Sequence, residues 1–216
     1  MTSQRLYGRT RCGSLTQDQN ILMQSLLPKF SCENFLKETN GPKVMEIGFG
    51  GGEHLFHQAV QNPCCLFLGC EPFENGVAQL LQKIEAENVQ NISILNGDAR
   101  FLIADMKDKE LDILYLLFPD PWPKKKHWKR RFFHQENLPT LHRLLKNNGE
   151  FRIATDHPSY QSWIEEILNS EIAQELFTWV NKDETLLPWK EYVQTRYHQK
   201  ALLHDREIRY YILKKN

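Results

Sequence analysis

Short, nearly all-apolar runs alternate along this chain with longer stretches in which apolar residues recur every three or four positions, and that alternation constrains the fold most. The runs fall near Lys43 to Ile47, Cys65 to Cys70, Asn91 to Leu95, Leu111 to Leu117 and Glu150 to Ala154. Strands apolar on both faces belong to a parallel sheet covered by helices on each side. The helical periods lie near Glu53 to Val60, Glu74 to Glu87, Ala99 to Met106, Gln135 to Leu145 and Ser159 to Leu168, with Asn148-Gly149 read as the stop of the fourth. Five strands in series with crossover helices predict a doubly wound, Rossmann-like α/β sheet. Beyond Asn169 the pattern changes: Leu176 to Val180 and Ile208 to Leu213 read as two further strands with no long amphipathic helix between them. A seven-stranded, mostly parallel sheet ending in an antiparallel pair is the expectation.

With 216 residues, 41% of them hydrophobic, the chain can bury one full core and is too short to argue for two, so a single domain over residues 1–216 is expected. Basic and acidic side chains balance at 27 each, so any attraction to nucleic acid must be local. No run of about 18 apolar residues and no basic-then-apolar leader occurs, which predicts a cytoplasmic protein without a membrane span. The five cysteines lack a Cys-x-x-Cys pair, and His54 and His57, the closest histidines, lack further ligands at metal spacing. No disulfide framework and no metal are expected. Residues 1–15 carry Arg5, Arg9 and Arg11 without an apolar period, a basic arm that is either a solvated tail or an RNA contact, and a capped helix begins near Thr16.

The first apolar run ends in Val44-Met45-Glu46-Ile47-Gly48-Phe49-Gly50-Gly51-Gly52. Glycines at the C-terminal end of a central strand let the backbone turn and approach a ligand. A dinucleotide turn needs a third glycine where this chain has Glu53, and Glu46, two residues before Gly48, would repel a pyrophosphate yet could hold an ammonium. Charge thus favours S-adenosylmethionine over a nicotinamide cofactor. Glu71 follows the second run, where a carboxylate can accept from both ribose hydroxyls, and Asp98 follows the third, at the adenine position. Gly48 and Gly50 would line the same crevice.

The fourth run delivers Phe118-Pro119-Asp120-Pro121-Trp122-Pro123 to that sheet edge. Three prolines stiffen the loop, Phe118 or Trp122 offers a flat surface, and Asp120 can accept N–H bonds from a base. Lys124, Lys125, Lys126, Lys129, Arg130 and Arg131 follow, six cations within eight residues of an otherwise balanced chain, and point at phosphates.

Phe118-Pro119-Asp120-Pro121-Trp122-Pro123-Lys124-Lys125, with Lys126-His127-Trp128-Lys129-Arg130-Arg131 after it, resembles the bacterial tRNA (guanine-N7-)-methyltransferase family of class I S-adenosylmethionine-dependent methyltransferases, and the similarity runs through nearly the whole chain. Ala154-Thr155-Asp156-His157, Thr195-Arg196-Tyr197-His198-Gln199-Lys200 and the stretch holding Gly8-Arg9, Leu15-Thr16 and Gln19 resemble further segments of that family. The resemblance implies that Glu46, Glu71 and Asp98 bind S-adenosylmethionine, with S-adenosylhomocysteine as product, and that Asp120 lies in the active site as the catalytic residue and also meets the cofactor. It implies that Lys124, Asp156, Thr195, Arg196, Tyr197 and His198 meet the guanosine or its surroundings, and that Lys126 to Arg131 hold RNA. The substrate implied is the variable-loop guanosine at tRNA position 46, and the enzyme implied is a monomer or homodimer without an obligatory protein partner. Two places depart from the pattern, Gly51-Gly52-Glu53 in the glycine loop and His204-Asp205 in the final turn. Two rivals remain at this stage: an exocyclic-amine methyltransferase acting on adenine or cytosine, whose loop carries a second proline before the aromatic, and a non-catalytic RNA-binding relict of the fold.

Overall fold

A computed structural model describes residues 13–216, so Arg5, Arg9 and Arg11 of the basic arm lie outside the described residues. Seven strands form one sheet: β1 (Lys43–Ile47), β2 (Leu66–Cys70), β3 (Ile92–Leu95), β4 (Leu111–Leu117), β5 (Leu145–Thr155), β6 (Phe177–Trp179) and β7 (Arg209–Lys215). Their order is β3-β2-β1-β4-β5-β7-β6. The first five pair in parallel, and β7 runs antiparallel between β5 and β6. The expected architecture is therefore the observed one.

The helices are α1 (Gln17–Ser25), α2 (Cys32–Lys37), α3 (Glu53–Gln61), α4 (Glu74–Glu87), α5 (Ala99–Ile103), α6 (Leu138–Leu144), α7 (Pro158–Leu168), α8 (Glu171–Leu176) and α9 (Arg196–Leu203). Thr16 caps α1 through a reciprocal pair of bonds with Gln19, as its position before the helical period suggests. Strand alternation divides the core. Met45 and Ile47 of β1 pack with Leu138, Leu141 and Ile164 on one face of the sheet, while Val44 packs with Leu55, Val77 and Leu81 on the other. No helix among the described residues is long and apolar enough to cross a membrane.

Two expectations change. Asn148-Gly149 does not stop a helix: α6 ends at Leu144, and the chain enters β5 at once, pairing Leu145 with Leu111. The register then shifts, and Asn148, at φ +66°, turns the backbone before Glu150 pairs with Ile113. A left-handed Asn beside Gly suits a strand irregularity as well as a helix terminus, and spacing alone does not separate the two. Between β6 and β7 lies α9, an eight-residue helix capped by the Thr195 hydroxyl oxygen, which accepts from the His198 N–H at 3.2 Å. With eight residues it is short of the long amphipathic helix whose absence the sequence suggested.

Candidate active site

The chain runs outward from β1 through β2 to β3 and then returns to β4 on the other side of β1, so the strand order reverses between β1 and β4. In open α/β sheets a crevice forms at such a reversal, outside the C-terminal strand ends. Gly48 leaves β1 at φ +73° with open space where a side chain would stand, so conformation alone calls for glycine there. Gly76, in the first turn of α4, is needed for a different reason: a Cβ would come 2.1 Å from the carbonyl oxygen of Gly50. The glycine loop thus rests directly on α4, and Lys83 of that helix donates to the Gly51 carbonyl.

Glu71 laces this loop to the end of β2. Its Oε2 accepts from the Gly50 N–H and its Oε1 from the Phe73 N–H, both at 2.8 Å. Burial pushes its carboxyl above the usual range, against the opposing pull of those two backbone bonds. Asp98 caps α5 by accepting from the Arg100 N–H at 3.0 Å. It lines a cavity of about 130 Å³ together with Gly48, Gly97 and Asp120. A second cavity of about 610 Å³, lined by Glu71, Phe118, Arg196 and Tyr197, shares Gly48, Pro119, Asp120 and Trp122 with the first. Asp120 therefore stands where the two meet, and burial raises its carboxyl.

The proline loop is held in an uncommon shape. Phe118 and Trp122 take φ +48° and +42°, the left-handed region that bulky residues avoid. Surrounding structure must over-determine such a conformation. One anchor is the Phe118 N–H, which donates to the Ala154 carbonyl at 2.7 Å and extends the β4–β5 ladder by a residue. The other comes from Arg131, whose Nε donates to the Pro121 carbonyl at 2.9 Å.

The run Lys124 to Arg131 separates into different environments. Residues Lys125–Arg130 form a 3₁₀ helix with three residues per turn, on which Lys126 and Lys129 are exposed, as is Lys124 just before it. Arg130 lies over the Trp122 ring, 4.8 Å from Cζ to centroid, and borders the smaller cavity. Arg131 corrects the sequence expectation: it is 1% exposed, and its guanidinium is enclosed by Trp128, Tyr160 and Trp163, so it presents no charge to RNA phosphates.

The remaining expected residues divide similarly. Arg196 and Tyr197 reach the larger cavity, and the Tyr197 ring lies 6.4 Å from that of Phe118, within 22° of parallel. Thr195 and His198, their neighbours, build the helix instead: Thr195 caps it, and His198 Nδ1 meets the hydroxyls of Tyr192 and Tyr210 at 3.1 and 3.2 Å. Both are buried and line neither cavity. Asp156 follows β5 and pairs with Arg206 at 2.9 Å. Glu46 lines neither cavity. Strand alternation turns it with Val44 toward α3, where its Oε2 accepts from His54 Nδ1 at 2.8 Å inside the core.

His54, Lys83 and Arg206 are the residues a sequence reading passes over. For His54 a signal existed: a lone carboxylate inside an otherwise apolar strand needs a partner, and the next helix supplies one. Lys83 and Arg206 meet their partners only through tertiary packing.

A family model described as a methyltransferase matches residues 40–210. The chain is 39% identical over 217 residues to a tRNA (guanine-N(7)-)-methyltransferase of Granulibacter bethesdensis, the match covering 96% of this chain and 93% of that protein. It is 44% identical over 184 residues to the enzyme of the same name from Jannaschia sp., covering 83% and 76%. Among solved structures, the 16S rRNA methyltransferase KamB is similar in fold, with a TM-score of 0.59 and 15% identity, covering 85% of this chain and 92% of that one. The mixed seven-stranded sheet, the crevice at its reversal point and these full-length similarities agree, and the chain belongs to the tRNA (guanine-N(7)-)-methyltransferase family.

Proposed function

We propose that the protein transfers the methyl group of S-adenosylmethionine to N7 of the variable-loop guanosine 46 of tRNA. The observation that carries this reading is the placement of Asp120 at the junction of two cavities, one bordered by Asp98 and the other by Glu71 and the rings of Phe118 and Tyr197. The crevice the two cavities form would take the cofactor's adenosine, with Asp98 at the β3 end in the smaller cavity and Glu71 at the β2 end in the larger. Each carboxylate keeps lone pairs after its backbone bonds, and Gly48 leaves the floor bare. The bound cofactor supplies an electrophilic methyl group on a sulfonium.

Guanine N7 carries a lone pair and no proton, so no group on the protein need act as a base. Rate must come from positioning and from charge. Ionised Asp120 can accept from the guanine N–H groups and offset the positive charge that grows on the ring as N7 gains a bond to carbon. Phe118 and Tyr197 offer ring surface for the base, and the exposed Lys124, Lys126 and Lys129 offer charge to the backbone.

The test is incubation of the protein with S-adenosylmethionine and unmodified tRNA, followed by nuclease mapping and mass spectrometry of the product. N7-methylguanosine at position 46 is expected. An N6-methyladenosine or N4-methylcytidine product, or no product with folded protein, overturns the reading.

A further inference from the structure

Arg131 ends the cationic run, but its surroundings are those of a strut. Its Nε donates to the Pro121 carbonyl at 2.9 Å, its Nη1 to the Ser159 carbonyl and its Nη2 to Ser159 Oγ, both at 3.1 Å. Its Cζ lies 4.7 Å from the Trp128 ring centroid and 5.2 Å from those of Tyr160 and Trp163. Carbonyls, a hydroxyl and aromatic faces thus satisfy a cation that is 1% exposed. Only the planar, forked and weakly hydrated guanidinium can take all these contacts at once, since an ammonium is a single hydrated point.

The geometry of the run explains how a member of a basic cluster comes to lie inside. Arg131 follows the 3₁₀ helix in extended backbone, and its N–H donates to the Trp128 carbonyl at 2.9 Å, which sets its side chain beside that indole. Lys125 Nζ sits 5.9 Å from the Trp128 ring, and Arg131 packs on the same indole. Within the helix Lys126 and Lys129, three apart, share one edge and stay in solvent, as does Lys125.

We infer that Arg131 is a positioning residue for methyl transfer: it ties the carbonyl next to Asp120 to the first turn of α7 and so holds the carboxylate of Asp120 in place. The strained backbone on either side gives the strut its purpose, because Phe118 and Trp122 sit at positive φ and the loop between them relaxes if released. This rests on the reading that Asp120 receives the base. A shift of about 1 Å at such a group lowers turnover by about two orders of magnitude.

The experiment compares wild type, R131K, R131A, K129A and S159A with unmodified tRNA, measuring kcat, KM and the salt dependence of tRNA affinity. A lost phosphate contact lowers the slope of log affinity against log salt by about 0.9. For K129A that fall in slope is expected. For R131K the expected result is a kcat about 10- to 100-fold lower with tRNA affinity and salt slope unchanged, and millimolar guanidinium should partly restore R131A. A reduced slope with kcat intact at saturating tRNA, for R131K, overturns the inference. If R131K does not fold, S159A carries the test, because it removes the Oγ bond to Arg131, together with the Oγ contact to His157 Nδ1, and keeps the cation. A severalfold lower kcat at constant KM for tRNA supports the strut, and a raised KM at constant kcat overturns it. A folded wild type that methylates no tRNA fails the underlying reading instead, and the salt slopes still decide whether Arg131 meets phosphate.

Discussion

Tyr197 and Phe118 come from distant parts of the chain, one in the first turn of α9 and one just past β4, and their rings lie 6.4 Å apart in the lining of the larger cavity. Tyr197 keeps 41% of its surface exposed, which leaves ring surface for a base. Stacking of a base on an aromatic side chain is worth about 1–3 kcal/mol. Tyr197→Ala should lower kcat/KM for tRNA about 5- to 150-fold, while Tyr197→Phe, which keeps the ring, should stay within about threefold of wild type. Equal losses in the two variants would assign the effect to the hydroxyl and not to stacking.

Asp120→Asn keeps shape and removes charge. Loss of one charge-stabilising group costs about 2.7–4 kcal/mol, or about 10²–10³ in kcat, and calorimetry should find S-adenosylmethionine affinity nearly unchanged. Because burial raises the Asp120 and Glu71 carboxyls, protons bind both above the ordinary carboxylate range, and activity falls as pH drops through the raised values. The acid limb of kcat/KM should therefore lie at higher pH than that of a solvated aspartate. A limb at or below about pH 4 would contradict this.

His54→Ala should unfold the protein more readily without touching the cleft wall. It leaves Glu46 as a buried acceptor without its hydrogen-bond partner, a loss of about 1–3 kcal/mol. Urea unfolding reads it as a lower midpoint. In a double-mutant cycle with Glu46→Gln the two substitutions should be strongly non-additive, and simple additivity would show that the pair is not coupled.

His198 links α9 to the core through Tyr192 and Tyr210, and burial pushes its proton affinity down. The unfolded chain binds a proton at this residue near the ordinary value of about 6.5, and the folded protein does so only at lower pH. Its contribution to stability is therefore present above that value and is lost as pH falls below it. His198→Gln should narrow the difference in unfolding free energy between pH 7.5 and 5.5. An unchanged difference would mean that other histidines, such as His142 and His157, carry the whole effect.

The parallel strands, the glycine turn, the strand-end acids and the proline loop were legible because each depends on local period or on backbone chemistry. Glu71, Asp98 and Asp120 stand at consecutive strand ends, and once a doubly wound sheet is inferred, their convergence on one edge follows from connectivity. Helix α9 was not legible, since its eight residues are too few to show a long helical period, and its docking through His198 to Tyr192 and Tyr210 joins residues outside it.

Charge composition likewise located the basic run but could not assign its members. By itself the sequence determined the sheet, the order of acids along its edge and the stiff loop carrying Asp120, because these follow from periodicity, proline and glycine. Tertiary structure alone decided that Arg131 turns inward while Lys126 and Lys129 stay in solvent, and that Tyr197 meets Phe118. The physical reason is the same in each case: whether a side chain meets water, a ring or a counter-charge depends on residues distant in the chain, and no local pattern encodes them.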